Sequence, residues 1–70
     1  MKVIWTNGCF DILHRGHIEL FKFCKSQGDY LVVGIDTDKR VKQNKGPDRP
    51  FNKEEDRSFF LESIKYIDKV

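Results

Sequence analysis

The chain has 70 residues, with 13 basic and 11 acidic side chains and a net charge of +2 at pH 7. A chain this short forms at most one small domain, which buries only about 60% of its unfolded surface. The balanced charge argues against a dedicated nucleic-acid-binding protein. The apolar runs are too short to span a membrane, and the N-terminus has no apolar signal-peptide segment. Cys9 and Cys24 form no CxxC pair, so we expect free thiols and a reducing, cytoplasmic setting.

The first two predicted elements are a strand and a helix. A short run of β-branched and aromatic residues predicts a buried strand over residues 2–6. After a loop over residues 7–16, a helix is expected from His17 to Gln27, with Gly28 as its left-handed C-terminal cap. The apolar face of this helix is predicted to contain Leu20, Phe21, Phe23 and Cys24.

The second strand is predicted from Tyr30 to Ile35, which is an almost continuous apolar run. Continuous apolarity indicates cover on both faces of the strand, as in a parallel sheet. Trp5 and Tyr30 are accordingly expected in the core. Strand, helix and strand in this order predict a right-handed βαβ crossover, so the expected fold class is α/β with a Rossmann-like parallel sheet.

The second half of the chain is more polar. Residues 39–51 have no apolar periodicity and contain two prolines, so we expect a loop there. Asn52 and Glu55 have the spacing of a capping box, which predicts a second helix that ends near Lys65. Residues 66–70 are expected to turn toward a further strand.

Two histidines stand where the first loop meets the first helix. His14 and His17 are separated by Arg15-Gly16 and follow a strand and a glycine-bearing loop. In such an arrangement backbone N–H groups and a helix N-terminus converge on an anion. Imidazole groups at this point suit a polyphosphate whose negative charge grows during reaction. The stretch therefore predicts a polyphosphate site.

The same residues resemble the motifs of a known family. His14-Arg15-Gly16-His17 resembles the HxGH signature of the nucleotidyltransferase superfamily, and residues 8–14 resemble the GxFDxxH motif of its cytidylyltransferase-like branch. Members of that branch are longer and carry a late ISSTxI-type motif that this sequence does not contain. The resemblance implies that residues 1–70 form one domain, the N-terminal half of an apparently truncated HxGH nucleotidyltransferase fold. The alternative is that the chain gains its missing surface by pairing with another copy, and a homodimer is the expected oligomer.

The resemblance implies roles for the residues of the first loop. His14 and His17 are expected to be catalytic, contacting the nucleotide's phosphates and stabilising charge on the α-phosphoryl group. Gly16 is expected to leave room for the phosphates, because a Cβ there would block their approach. The remaining residues with an implied nucleotide-binding role are Gly8, Cys9, Phe10 and Asp11. Two roles stay open for Asp11: it holds the turn by accepting N–H bonds, or it orients a histidine or a magnesium-bound water.

A second block resembles one particular group of nucleotidyltransferases. The stretch from Lys45 to Asn52, followed by Arg57, resembles the KGxxRPxNxxxxR block of heptose 1-phosphate adenylyltransferases. This resemblance implies that Lys45 is a catalytic residue that approaches the nucleotide phosphates, and that Lys42 approaches the acceptor's phosphate. We count Asp38 with Lys42 as a substrate-binding residue.

Arg57 also stands out by its spacing. It lies three, four and seven residues before Phe60, Leu61 and Ile64. This spacing places a charge on the apolar face of the second helix, where it needs a partner. We expect that partner to be a ligand phosphate, which makes Arg57 a catalytic residue. The alternative is a structural salt bridge with Asp36 or Asp38.

The expected function is nucleotidyl transfer. An AMP or CMP group moves from a nucleoside triphosphate to a phosphorylated small molecule, pyrophosphate is released, and Mg²⁺ bridges the triphosphate. The GCFD and KGxxRP sequences favour ATP and a sugar phosphate such as heptose 1-phosphate, with CTP and glycerol 3-phosphate as the alternative. Two other interpretations stay open. One is a truncated, non-catalytic module for nucleotide binding or association; the other is a zinc site at Cys9, His14 and His17.

Overall fold

The structure, a computed structural model, describes residues 1–70 and contains two strands and three α-helices. In chain order the elements are β1 (Val3–Gly8), α1 (Arg15–Ser26), β2 (Tyr30–Ile35), α2 (Asp38–Lys45) and α3 (Glu54–Glu62). The two strands pair in parallel, with Val3 opposite Tyr30 and Gly8 opposite Ile35. This confirms the predicted α/β class and the βαβ unit. None of the helices combines the length and apolar character that crossing a bilayer requires.

The core lies on one face of this small sheet. It consists of Phe10, Phe21, Leu31, Val33, Leu61 and Ile67. Leu31 and Val33 alternate along β2 and therefore point to the same side, where Phe21 of α1 and Leu61 of α3 meet them. Both helices thus cover the same face of the sheet, and this packing holds α3 against the βαβ unit.

The opposite face of the sheet is exposed, so the prediction of a buried Trp5 is wrong. Its side chain is 64% exposed, and Val3 on the same face is 52% exposed. The indole lies across Gly34, where an added Cβ would come within 3.0 Å of the ring. Tyr30 is partly buried. A continuous apolar run therefore did not mean cover on both faces in these 70 residues.

The inward face of α1 differs from the predicted one. Phe21 is fully buried and Cys24 packs partly against the core, as expected. Leu20 and Phe23 are 40% and 63% exposed, because at 100° per residue they point about 100° and 160° away from Phe21. The helix also begins at Arg15, two residues before the predicted start, since His14 is its N-cap.

Gly28 follows α1 but is not a left-handed cap. The C-cap is Gln27, in right-handed helical geometry with φ −89° and ψ −6°. Gly28 lies against the start of β1, where an added Cβ would be 2.8 Å from the carbonyl oxygen of Lys2 and 2.7 Å from Ile4. Glycine is needed there for close approach between helix end and strand, rather than for its backbone freedom.

Helix α2 occupies part of the stretch that was predicted as a loop. It is capped by Thr37, whose Oγ1 accepts a hydrogen bond from the Arg40 N–H at 3.2 Å, and its C-cap is Gly46, where φ is 104°. Val41 is its only buried residue. A helix with one buried side chain has no apolar periodicity, so the sequence signal lay only in the caps.

Helix α3 is shorter than predicted and is capped differently. It runs from Glu54 to Glu62, and its N-cap, Lys53, provides no side-chain hydrogen bond. The capping box predicted for Asn52 is absent, because the Asn52 amide donates to the Asp11 carbonyl instead. The cap comes from α2: Asp38 Oδ1 accepts from the Glu54 N–H at 2.8 Å.

The chain ends beside β2, as expected for the beginning of a further strand. Lys69 pairs in parallel with Val32, and its carbonyl oxygen accepts from the Val33 N–H at 2.8 Å. Asp68 strengthens this contact, since its carboxylate accepts from the Leu31 N–H at 2.7 Å and from the Lys25 ammonium. The third strand position therefore lies at the β2 edge of the sheet.

Candidate active site

The two histidines cap the start of α1 together. His14 Nδ1 accepts a hydrogen bond from the Gly16 N–H at 3.0 Å, and His17 Nδ1 accepts one from the His14 N–H at 3.2 Å. Their rings are stacked, with centroids 3.8 Å apart and an angle of 25° between the planes. The arrangement is a capping box built from imidazoles, which ties both side chains to the helix N-terminus.

This cap determines which nitrogen carries the proton. Because both Nδ1 atoms accept backbone N–H bonds, the neutral rings carry hydrogen on Nε2. Burial of His17, together with the nearby charge that His14 gains on protonation, lowers the pKa of His17 below its ordinary value. The pair therefore presents two Nε2–H donors next to a helix N-terminus, which is a favourable place for an anion.

Phe10 packs against the His17 ring. Its backbone is left-handed, with φ 51°, and its buried ring meets His17 edge-on at 5.3 Å and Phe21 at 5.2 Å. Gly8 makes this possible, because a Cβ there would lie 2.9 Å from the Phe10 ring. The structure thus gives Phe10 a packing role and Gly8 the role of making room for it.

Gly16 leaves room for the His14 ring. An added Cβ would lie 2.8 Å from His14 Cε1 and 3.0 Å from Nδ1. The sequence-based reason, that glycine admits the phosphates, stays a prediction. The close contact in the structure is with the imidazole.

Asp11 is buried, and its carboxylate holds the segment that precedes α3. It accepts hydrogen bonds from Arg49 Nε at 2.8 Å and from the N–H groups of Phe51 at 2.9 Å and Asn52 at 2.8 Å. Burial alone would raise the pKa of Asp11, but these N–H donors and the guanidinium outweigh it and hold the pKa below its ordinary value. Of its two open roles, the structure shows the one in which Asp11 holds backbone N–H groups.

The expectation that Arg57 holds a ligand phosphate is wrong in this structure. Its side chain is 0% exposed, and its guanidinium donates to Cys9 O at 2.8 Å, Asp38 Oδ1 at 2.8 Å and Asn52 O at 3.1 Å. The alternative, a salt bridge with Asp38, is what forms. Arg57 therefore joins the first loop, the start of α2 and the segment before α3.

Asp38 is also engaged with the protein rather than free to bind substrate. One carboxylate oxygen, Oδ1, accepts from both Arg57 and the Glu54 N–H. We use the name charged clamp for the four ionised residues of these two ion pairs: Asp11, Asp38, Arg49 and Arg57. Every buried side-chain nitrogen and oxygen has a hydrogen-bond partner, so the buried polar atoms of the clamp are all satisfied.

Two clefts lie beside α2. The larger, which we call the rim cleft, has a volume of about 460 Å³ and is lined by Asn7, Ile35, Asp36, Thr37, Lys39, Arg40 and Gln43. The smaller, which we call the loop cleft, has a volume of about 260 Å³ and is lined by Asp38, Lys42, Pro50, Phe51 and Lys53. His14 and His17 line neither cleft.

The lysines expected at the phosphates belong to the loop-cleft side of α2. Lys42 lines that cleft, and Lys45, three residues further on, shares its face of the helix. Both side chains are exposed and take part in no ion pair. The sequence analysis missed the rim-cleft residues Lys39 and Arg40, because α2 was predicted as a loop and its faces could not be assigned.

The proposed zinc site is not formed. No group of three His, Cys, Asp or Glu side chains is close enough to hold a metal ion. The Nδ1 atoms of His14 and His17 already accept backbone N–H bonds, and the Cys9 thiol is free.

Comparisons with known proteins agree with this geometry. Residues 5–70 match the family described as cytidylyltransferase-like. Over 69 residues, 99% of the chain, the identity is 49% to the bifunctional protein HldE of Sulfurimonas denitrificans and 48% to that of Helicobacter pylori strain J99. The match covers 14% of the first relative and 15% of the second, so the chain spans only a small part of their length.

A solved structure supports the same conclusion. The lipopolysaccharide core biosynthesis protein from Thermoplasma volcanium GSS1 is 35% identical and superposes with a TM-score of 0.90. The superposition covers 99% of this chain and 55% of that one. The HxGH and GxFDxxH sequences thus lie in the strand, loop and helix start where the resemblance requires them, and the chain belongs to the cytidylyltransferase-like family.

Proposed function

We propose that this chain carries the triphosphate-binding part of a nucleotidyltransferase that moves an AMP or CMP group from a nucleoside triphosphate to a phosphorylated small molecule. The observation that supports this most directly is the histidine cap of α1. The Nδ1 atoms of His14 and His17 accept backbone N–H bonds, so both rings keep an Nε2–H donor at the helix N-terminus. In a member of the cytidylyltransferase-like family, we expect these donors to bind the phosphates of the nucleotide.

The reaction needs positioning more than acid–base chemistry. An oxygen of the acceptor's phosphate attacks the α-phosphorus in line, the bond to the bridging α–β oxygen breaks, and pyrophosphate leaves. The attacking oxygen is already anionic, so no base has to remove a proton. His14 and His17 act by donating hydrogen bonds to the α-phosphoryl oxygens as charge builds there.

The remaining site residues divide by their environment. Lys45 and Lys42 are the exposed cations of the last turn of α2, and their roles at the nucleotide phosphates and at the acceptor's phosphate stay predictions. Arg57 and Asp38 act indirectly, by fixing the Cys9 carbonyl and the start of α3. Gly8, Cys9 and Phe10 remain proposed contacts of the nucleotide through their main-chain atoms.

Mg²⁺ is proposed to arrive with the triphosphate. The chain offers no cluster of three acidic or histidine ligands, which fits a metal held mainly by phosphate oxygens and water. When bound, such an ion neutralises the charge of the leaving pyrophosphate.

ATP and a sugar phosphate are the favoured substrates. The KGxxRP block of residues 45–50 supports them, and so does a relative named for lipopolysaccharide core biosynthesis. CTP with glycerol 3-phosphate is the alternative. Titration calorimetry of the chain with Mg–ATP and with Mg–CTP decides between the bases. A cytoplasmic setting and a homodimer also stay predictions; sedimentation equilibrium tests the dimer.

Two substitutions of His17 test the proposal. Asparagine places an acceptor near the Nδ1 position and keeps the cap, but it has no donor at Nε2. Glutamine carries its amide group near the Nε2 position, and at the third position of a helix it is also a usual capping-box residue. We expect His17→Asn to keep the stability of the chain while weakening Mg–triphosphate binding and cutting pyrophosphate release by roughly 100-fold or more. His17→Gln should also keep the stability of the chain, and it should retain more binding than His17→Asn.

The outcome separates the two candidate functions. Unchanged triphosphate binding and pyrophosphate release in His17→Asn would remove the histidines from the proposed mechanism. Binding that depends on His17 without any pyrophosphate release, with either acceptor, would favour a non-catalytic binding module. Lys22→Gln is the matched surface control, since Lys22 is exposed on α1 and makes no side-chain hydrogen bond.

A further inference from the structure

We propose that the rim cleft binds the acceptor, as a phosphorylated polyhydroxy compound. Lys39 and Arg40 hold its phosphate, and Asp36, Asn7 and Gln43 hold its hydroxyl groups. The inference deepens the proposed function, on which it rests, by moving the acceptor's phosphate from Lys42, which lines the loop cleft, to Lys39 and Arg40, which line the rim cleft.

The cleft lies where a parallel sheet offers a ligand site. Asn7 is near the carboxyl end of β1, and Asp36 follows the last residue of β2. Ligands of open α/β sheets bind outside these strand ends. The cleft is also tied to the histidine loop, because the Asp36 N–H donates to the Gly8 carbonyl at 3.2 Å and Gly8 leads directly into that loop.

The charged groups of this rim fall into two sets. Those of the charged clamp are paired with each other and with backbone groups. In the rim cleft, by contrast, no side-chain hydrogen bond or ion pair forms within the chain at the five residues Asn7, Asp36, Lys39, Arg40 and Gln43. Donors and acceptors that line one concave surface without partners are available to a ligand.

The lining defines the kind of ligand. Two cations and one carboxylate give a net charge that suits a single phosphate, while the carboxylate and two amides suit hydroxyl groups. Ile35 is the one apolar lining residue, so an apolar ligand or a stacked base finds little surface. Asp36 would repel a triphosphate tail. A sugar phosphate or polyol phosphate satisfies all of these groups.

The loop cleft has the opposite character. Its lysines are Lys42 and Lys53, and its carboxylate, Asp38, is already neutralised by Arg57. It therefore suits a more highly charged polyphosphate better than a polyol. Lys42 lies three residues after Lys39 and is its neighbour on α2. Lys42 nevertheless lines only the loop cleft, whereas Lys39 and Arg40 line only the rim cleft, so each cleft has its own cations.

Nuclear magnetic resonance titration of the ¹⁵N-labelled chain tests the inference, because it detects weak binding residue by residue. The probes are mannose 1-phosphate, glycerol 3-phosphate, inorganic phosphate and glycerol, each with and without a Mg²⁺ complex of a non-hydrolysable ATP analogue. We expect the phosphorylated polyols to shift the side-chain amides of Asn7 and Gln43 and the backbone amides of Thr37 and Arg40. Inorganic phosphate should bind more weakly, and glycerol should cause no shift.

Variants make the test specific. Lys39→Gln/Arg40→Gln should weaken binding of the phosphorylated polyols by about tenfold or more, and leave Mg–nucleotide affinity unchanged. Asp36→Asn should reduce the preference for a polyol phosphate over inorganic phosphate. Lys22→Gln is the matched control for lost charge, and the amide spectrum of each variant shows that it is folded.

Several results would overturn the inference. They are loss of polyol phosphate binding in Lys42→Gln but not in Lys39→Gln/Arg40→Gln, equal affinity for inorganic phosphate, and no shift at the rim cleft even with nucleotide present. Loss of nucleotide affinity in the double variant would assign the cleft to the nucleotide. If polyol phosphate binds at the cleft but nucleotide does not bind at the histidines, the proposed function fails while the subsite stands.

Discussion

Two regions of this chain are held together in different ways. The βαβ unit is held by apolar packing, with Phe21, Leu31 and Val33 buried on one face of the sheet. The region after β2 is held by the charged clamp, in which buried Asp11 and Arg57 bind backbone groups of segments far away in sequence. The βαβ unit therefore depends on apolar burial, whereas the position of the active-site loop depends on ion pairs and hydrogen bonds. A substitution in one region should leave the other largely intact.

The largest effect is expected from breaking the clamp at Arg57. Arg57→Met fills similar space but leaves Asp38 and two carbonyl oxygens without their donor. Removing one partner of a buried ion pair costs about 3–5 kcal/mol, a large share of the stability of a 70-residue chain. Urea unfolding followed by circular dichroism measures the loss.

Arg15→Met is the matched control for that experiment. Arg15 pairs with Glu19 on the surface of α1, where the two side chains are 90% and 63% exposed. Such a pair contributes at most about 0.5 kcal/mol. Equal losses in the two variants would mean that burial of the guanidinium does not set the strength of the clamp.

A smaller and pH-dependent effect is expected at Asp11. Because the folded-state pKa is lowered, Asp11 stabilises the fold fully above its unfolded pKa near 3.8, and this contribution is lost as the pH falls through the folded value. Asp11→Asn should cost about 1–3 kcal/mol at pH 7, since its NH₂ group faces N–H donors. Its stability should then fall less steeply than that of the wild type in the acid range.

Unfolding midpoints measured from pH 7 down to pH 2 test this. Asp68 also has a lowered pKa, because of its hydrogen bonds from Lys25 and the Leu31 N–H, so some acid sensitivity persists in the variant. A pH profile of Asp11→Asn parallel to that of the wild type would show that Asp11 is not the group whose titration loosens the clamp.

The same comparison explains what the sequence could and could not predict. Apolar runs predicted both strands and α1, and the HxGH sequence located the histidines, because these signals are local. The exposure of the sheet face that carries Trp5 could not be predicted, because it depends on which face the helices cover. The composition of a strand does not contain that information.

The clamp was harder to foresee for a different reason. The spacing of Arg57 correctly indicated a buried charge that needs a partner, and Asp38 was one of the named alternatives. Its bonds to the carbonyls of Cys9 and Asn52, however, join residues up to 48 positions apart through backbone atoms. Backbone acceptors cannot be recognised in a sequence, so a ligand phosphate was the expected partner of Arg57.

The smallest change in stability is expected for Gly16→Ala, because a gain in helix propensity and the loss of a capping hydrogen bond nearly cancel. Alanine is favoured over glycine inside a helix by about 1 kcal/mol. The added Cβ would meet the His14 ring at 2.8 Å, so the ring must turn away and lose its bond to the Gly16 N–H, a cap of about 1 kcal/mol. Gly16→Ala should therefore melt within a few degrees of the wild type, yet the ¹⁵N signals of the His14 ring should lose the fixed Nε2–H tautomer. A clear gain in stability with unchanged His14 signals would mean that the imidazole does not depend on the missing Cβ. The histidine cap would then contribute less to stability than the charged clamp does.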